Sequence, residues 1–511
     1  MRTNHLKSTL ALVPLFFLIA LPSAWAQKLY PSDPMLKDND RLVDVAQQPE
    51  GIKLSDLYDR FGHIFVDFGD PEFSEAKNVN TLDEVPDSSW FTNRHGRTRM
   101  TLEELSRGAN LDGPPQVDET WMIFRGKTQG ISPGFEIEDG KGDRYVVKFD
   151  PAGIPELSTS AEIIATKIFY ALGYHVPQNY IVSYDPDKFD IKAGTMVKNR
   201  FGDKVPLTKF RLGAMLRRIP RGSDGKVRCI ASKYIDGVPL GPFRYYGTRS
   251  DDPNDVIFHE HRRELRGLRL FAAWINHDDT RAQNTQSSWV EEGGQHYVRH
   301  WLLDFGSTFG SGTVDLQLAN LSFHYWLPLD LVKKNAKGFG FHVPKYRKVK
   351  WPNFPEYKSV GRWEGEAFDP LEWRNDYPNP AFVRMTTRDA FWAAKILMKF
   401  TPEELAAIVE EGEFSDPAQG KYFYDVLLQR QQKCGRFGIN GLNPVDEFRL
   451  VGDTLRFTNL SEEYGFAPRG STRYQIVWWK FDNGSGKKTG QASAQVVQGQ
   501  TSIPVPMGPG L

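Results

Sequence analysis

The apolar run Trp301-Leu302-Leu303 stops on a carboxylate, Asp304, which is followed by Phe305-Gly306. A carboxylate at the end of a buried strand is costly unless a cation or a hydrogen-bond network receives it, so the fold must bring partners to this point. Gln286 to Val290 and Gln295 to Leu303 read as two arms of a hairpin around Glu291-Glu292-Gly293-Gly294, and that turn carries Asp304 back beside Asn284. Asn284 lies five residues after Asp279 in Asn276-His277-Asp278-Asp279-Thr280-Arg281-Ala282-Gln283-Asn284, an interval at which a loop can point both side chains into one cleft. Carboxylates and an amide oxygen are hard donors of the kind that hold Mg²⁺.

What precedes this loop reads as strands and then a helix. Thr120 to Thr128, Phe135 to Asp139 and Arg144 to Phe149 are separated by Gly-rich turns and predict a three-stranded antiparallel meander. A helix follows, with Thr159 as N-cap, Glu162 closing a capping box, Ile163, Ile164, Ile168, Ala171 and Leu172 as the apolar face and Gly173 as the stop. Further strands are expected around Tyr180 to Tyr184 and Val227 to Tyr234, then a crossing at Asp236 to Pro242. Leu265, Leu268, Phe271, Ala272 and Ile275 mark an amphipathic helix from Asp255 to Ile275 that leads into the Asp279 loop.

Beyond an irregular Trp- and Pro-rich stretch from Trp351 to Pro380, helices are predicted at Thr387 to Lys399, from Thr401 with Glu404 as its capping-box partner, and at Lys421 to Gln432. Short strands at Thr454 to Asn459, Arg473 to Lys480 and Ala492 to Val497 predict a small C-terminal β module. From Gln27 to about Gln116 the chain is polar with few periodic segments, an extension expected to pack on the main body.

Residues 1–26 have the basic start, apolar run and Ala24-Trp25-Ala26 site of a secretory signal peptide, which predicts an exported protein, periplasmic or extracellular, with a mature start at Gln27. No later segment is apolar for long enough to span a bilayer. The balance of 64 basic against 64 acidic residues argues against a nucleic-acid or anionic-membrane partner, leaving only local patches. Cys229 and Cys434 match no metal or redox spacing, and the apolar surroundings of Cys229 favour a buried free thiol over a disulfide.

The succession of glycine-turned hairpin, strand lysine, helix glutamate, crossing, helix, Asp…Asn loop, hairpin and Asp-Phe-Gly resembles the protein-kinase-like fold. It is closest to atypical members: the HipA-like kinases, the spore-coat and secretory-pathway kinases and the phosphoinositide kinases. The resemblance covers about residues 119–310 in motif and reaches about 440 by helix content. It implies an α+β, bilobal protein-kinase-like fold, with a β-rich N-lobe over 119–240 and a mainly helical C-lobe over 241–445, flanked by an extension at 27–118 and the β module at 446–511.

The resemblance also implies roles. Lys148 would grip the phosphates of ATP, and Glu162 would pair with it, with Glu156 a rival partner and the Thr159 capping box a competing use. Asp279, or else Asp278, would orient an acceptor hydroxyl, while Asn284 and Asp304 would hold Mg²⁺ or Mn²⁺. His277 takes the place of the histidine before the family's catalytic aspartate, with packing as its expected role. Gly126, Gly130 and Gly134 would let backbone N–H groups approach phosphates, with Lys127 as a further contact, although their spacing departs from G-x-G-x-x-G and a structural glycine turn is an equal alternative. No Ala-Pro-Glu follows Asp304, which leaves the hydroxyl-bearing acceptor open between protein, lipid and saccharide. Two other functions remain: nucleotidyl transfer on the same fold, or an inactive kinase-shaped binding module in which Trp351, Trp363 and Trp373 stack on a partner.

Overall fold

In the computed structural model, residues 43–65, 74–80, 82–126, 134–198, 202–339, 341–352, 359–482, 485–490 and 494–506 are described. The signal segment, Lys127 and Gly130 lie outside them. The N-terminal extension carries more order than its sequence suggests, in two helices, α1 (Asp56–Phe65) and α2 (Leu102–Arg107). A capping box between Thr101 and Glu104 starts α2. Val85, Trp90, Phe91 and Leu105 are buried in the same core as the central helices, so the extension does pack on the body.

The predicted meander is present. β1 (Trp121–Gly126), β2 (Gly134–Glu138) and β3 (Arg144–Phe149) pair antiparallel in sequence, with burial that alternates over much of β1 and is nearly continuous along β2. They are followed by α3 (Leu157–Leu172), β4 (Asn179–Tyr184), β5 (Phe189–Ile191), a hairpin of β6 (Met196–Lys198) and β7 (Lys204–Pro206), α4 (Lys209–Leu216) and β8 (Val227–Lys233). A six-stranded sheet results, in the order β4-β8-β3-β2-β1-β5, antiparallel except where β5 joins β1. Trp121, Ile123, Phe135, Val147, Phe149, Val227 and Cys229 build its core. α3 packs against β3, β4 and β8 and is buried along its length except at Tyr170.

The start of α3 corrects the capping-box reading. The helix begins at Leu157, not after Thr159, and Glu156 precedes it in a left-handed conformation without a side-chain cap. The cap comes from Asp150, whose carboxylate accepts the N–H groups of Ser158 and Thr159 at 2.9 Å each and the Thr159 hydroxyl at 2.8 Å. Asp150 lies outside the helix, so no local spacing announces it. Glu156 is occupied elsewhere, accepting the Ser415 N–H at 3.0 Å and its hydroxyl. Glu162 is therefore released from capping.

The crossing holds a short strand, β9 (Val238–Gly241), paired to the hairpin of β10 (Thr285–Glu292) and β11 (Gln295–Leu302). Between them α5 (Arg263–Ile275) starts later than expected, because residues 255–262 are held by polar contacts, among them Asp255 to His259 at 2.8 Å. α6 (Leu329–Lys337) and α7 (Pro380–Val383) precede α8 (Thr387–Leu397), α9 (Pro402–Glu410) and α10 (Pro417–Ile439). The Thr401–Glu404 capping box is present as expected, whereas α10 extends beyond the predicted Lys421 to Gln432 at both ends. α5, α8 and α10 pack around Trp274, Trp392 and Leu427 in the largest core. β12 (Val445–Val451), β13 (Thr454–Asn459), the short α11 (Leu460–Glu463), β14 (Arg473–Ile476), β15 (Lys480–Asp482), β16 (Lys487–Thr489), β17 (Gln495–Gln498) and β18 (Ser502–Pro504) complete the chain around Phe457, Tyr474 and Ile503. The fold class is α+β, as expected. Cys229 and Cys434 are free and buried, and among the described residues no helix is long and apolar enough to cross a membrane.

Candidate functional site

Lys148 lies on β3 opposite Gly134 of β2, a partner with no side chain to crowd it. Its Nζ lies 3.0 Å from Glu162 Oε2 and 2.9 Å from Asp304 Oδ1. Burial alone would lower the Lys148 pKa, but the two carboxylates outweigh it and hold the ammonium above its ordinary value. The side chain stays charged because two opposite charges replace its water.

Glu162 has a second contact, since its other oxygen accepts the Phe305 N–H at 3.1 Å. One turn-periodic face of α3 thus serves the Asp-Phe-Gly segment twice. Glu162 binds its backbone, and Phe169, seven residues on, stacks on the Phe305 ring at 5.0 Å between centroids. Gly306 is needed for this approach: a Cβ there would lie 2.8 Å from Ser158 Oγ and 3.2 Å from Glu162 Oε2. Asp304 itself takes a left-handed conformation, φ 58°, uncommon outside Gly but more accessible to Asn and Asp than to other side chains. Its side chain remains 31% exposed.

The loop that faces this group leaves α5 through Asn276, also left-handed at φ 57°. Asn276 is fixed on both sides, donating to Gln317 at 2.8 Å and accepting the Trp373 indole N–H at 3.0 Å. His277 is buried against Phe305, its ring 5.5 Å away, and burial lowers its pKa to about 4. Its ring also lies 6.0 Å from that of Phe169, so it packs in the same aromatic cluster as Phe305. Asp278 is buried too; its carbonyl accepts the Asp376 N–H at 2.9 Å, and burial, then Asp279 and Asp376, push its carboxyl well above the ordinary range.

Asp279 is the more exposed of the pair, 22% by side chain. Burial raises its pKa to about 6, against the pull of Arg281 and the Asn284 side chain. The Asn284 Nδ2 donates to the Asp279 carbonyl at 2.8 Å, and its own carbonyl accepts the Leu303 N–H at 2.9 Å. That second bond, together with the Thr285–Leu302 ladder pair, is what sets Asp304 in step with the loop.

The sequence reading missed the charged chain behind Asp279. Arg281 approaches it with Nε at 2.8 Å and a terminal nitrogen at 3.2 Å, and reaches Asp56 of α1 at 3.2 Å. Arg60 of α1 pairs with Asp56 at 3.4 Å and with Asp376 at 2.8 Å. Asp59 accepts the Tyr377 hydroxyl at 2.7 Å. The available signal was the spacing of Asp56, Asp59, Arg60 and His63, which falls on one face of a helix.

The glycines divide. Gly126 has a steric reason of its own, because a Cβ would lie 2.4 Å from Val197 Cγ1, and Gly134 faces Lys148. Trp363 and Trp373 are buried and anchor their loop, which removes them as stacking surfaces. Among the described residues no group of three or more His, Cys, Asp or Glu side chains is placed to hold a metal ion. The pair Asn284 and Asp304 offers one amide oxygen and one carboxylate, a donor set that suits Mg²⁺ or Mn²⁺ held mainly through water and phosphate oxygens.

No family model matches this sequence, and no curated protein matches it. Among solved structures, a Helicobacter pylori proinflammatory kinase, CtkA, is similar over 64% of this chain and 98% of its own, at 12% identity and a TM-score of 0.35. The Golgi casein kinase with Mn/ADP bound is similar over 80% of this chain and 94% of its own, at 13% identity and a TM-score of 0.33. Hydra Fam20 with sugar follows at 59% and 96%, with 12% identity and a TM-score of 0.25. These are distant likenesses of fold.

Proposed function

We propose that this chain is an exported phosphotransferase that uses ATP and Mg²⁺ or Mn²⁺ to modify a hydroxyl-bearing acceptor. The observation that carries the reading is the buried bridge of Lys148 between Glu162 and Asp304, with Asp304 tied to the Asn284 loop through the Leu303 backbone. A bridging cation and an exposed carboxylate edge at one point are what nucleotide phosphates and a divalent ion require. When bound, the metal neutralises phosphate charge. Asn284 and Asp304 would hold it, and Lys148, steadied by Glu162, would bind phosphate oxygens.

Asp279 would orient the acceptor hydroxyl and receive its proton. Its greater exposure and its bond from Asn284 favour it over Asp278. Arg281 fixes the orientation of Asp279 and limits the rise of its pKa, so that the carboxylate is ionised above pH about 6. Gly126, Gly130, Gly134 and Lys127 remain candidates for the phosphate approach. Nucleotidyl transfer would use the same residues. An inactive binding module would need no buried Lys148 bridge, which is why it ranks below both.

The deciding experiment is Asp304→Asn, which keeps size and one acceptor oxygen but removes the charge that attracts a divalent ion. Wild-type protein is expected to gain thermal stability with ATP and Mg²⁺ or Mn²⁺ together, and the variant to fold but lose that shift, with about a thousandfold lower rate of phosphate incorporation. An undiminished shift and rate in Asp304→Asn would show that Asp304 is no metal ligand. No shift in the wild type with any nucleotide would leave the binding module.

A further inference from the structure

The formal charges of the chain cancel, yet one stretch does not share in the balance. Between Leu329 and Lys350, six lysines and Arg347 face a single carboxylate, Asp330. Among the described residues, only Lys345 of these cations has an acidic side-chain partner, Glu372. Apolar side chains stand exposed among them: Phe339 at 90%, Phe341 at 88%, Val332 at 59% and Val343 at 52%. α6 supplies Val332 together with Lys333, Lys334 and Lys337. Its end is a turn in which the Gly338 N–H bonds the Lys334 carbonyl and the Phe341 N–H bonds the Gly338 carbonyl, both at 2.9 Å.

We propose that this segment docks the protein on an anionic lipid bilayer, with Phe339 and Phe341 entering the headgroup boundary and the lysines resting on phosphate groups. Two nearly fully exposed phenylalanines are unfavourable in water and favourable at an interface. Cations around an apolar tip are the composition of interfacial anchors, and each lysine adds attraction to an anionic surface. Charge rules out a second copy of the chain, because a symmetric contact would set seven cations against seven. A single-stranded nucleic acid would use the rings but gain nothing from the exposed Val332 and Val343, which have no π face.

Docking has a geometric consequence. The same segment walls a cavity of about 370 Å³ through Leu329, Lys334 and His342, and the cavity also meets Trp351, and Asn276 and Gln317 at the base of the Asp279 loop. A bilayer bound here would lie on the side of the molecule that holds this cavity. The proposal stands apart from the phosphotransferase reading, since lipid binding needs neither ATP nor Asp304.

The test is co-sedimentation of the mature full chain with phosphatidylcholine vesicles, with and without about one third phosphatidylglycerol. The protein is expected to sediment with the anionic vesicles alone and to be released as salt rises toward about 1 M, where screening is nearly complete. Phe339→Ser/Phe341→Ser should lower partitioning by more than about tenfold, and Lys333→Gln/Lys334→Gln by about the same factor. Both variants should keep the wild-type melting temperature, because all four side chains are at the surface. Equal binding to neutral vesicles, or undiminished binding by the phenylalanine variant, would overturn the proposal. So would tight retention on heparin or single-stranded DNA without vesicle binding, or a dimer in light scattering that the phenylalanine variant abolishes.

Discussion

At the scale of single residues, the site is governed by what replaces water around charge. Lys148 keeps its charge because Glu162 and Asp304 are both within 3.0 Å. Removing Glu162 leaves Lys148 paired with Asp304 but takes the acceptor from the buried Phe305 N–H, a loss of roughly 1–3 kcal/mol. Asp279 shows the opposite case, a carboxyl raised to about 6 chiefly by burial, against about 4 in an unfolded chain. The folded state therefore holds the extra proton between those values, so the cost of ionising Asp279 is absent below pH about 4 and complete above about 6. Asp279→Asn removes this titration, while Arg281 stays charged throughout and contributes only a constant. Relative to wild type, the variant should gain about 2 kcal/mol of stability between pH 4 and pH 7. Urea denaturation at the two pH values checks this, and a pH-independent difference would mean that Asp279 is not raised.

At the scale of elements, α3 is the joint of the molecule. Its N-terminus is capped by Asp150 from the loop just after β3, its first face reaches Lys148 and Phe305 through Glu162, and Phe169 receives the Phe305 ring. Asp150→Ala would leave two N–H groups and the Thr159 hydroxyl without their acceptor, a loss of about 2–3 kcal/mol in thermal or chemical unfolding. Thr159→Ala leaves the bonds from the Ser158 and Thr159 backbones in place and should cost about 1 kcal/mol or less. Equal losses from the two variants would restore the Thr159 cap. α1 is the second element whose role is positional: Asp56 and Arg60 extend the Asp279–Arg281 pair to Asp376. It braces the loop from a part of the chain more than two hundred residues away.

At the scale of the whole molecule, the N-terminal extension is part of the main core, with Trp90 and Phe91 buried beside the central helices. Export would thus deliver one packed body, and cell fractionation should find it outside the cytoplasm with an N-terminus near Gln27; full-length protein retained in the cytoplasm would contradict this. Much of the design was already present in local sequence. Strand-like runs and Gly-rich turns gave β1, β2 and β3 their places, because strand preference and turn chemistry are short-range properties. The five-residue step from Asp279 to Asn284 and the hairpin leading to Asp304 were equally local. What only tertiary structure decided was which partners those residues take. Whether Glu162 caps a helix or pairs with Lys148 depends on how the loop after β3 folds back to set Asp150 against the helix start. Whether Asp278 or Asp279 stays near solvent depends on what covers each of them. That Arg281 meets Asp56 depends on a contact across 225 residues. Local sequence encodes dihedral preference and periodic burial, whereas a charged group's partner is fixed only when distant segments exclude water around it.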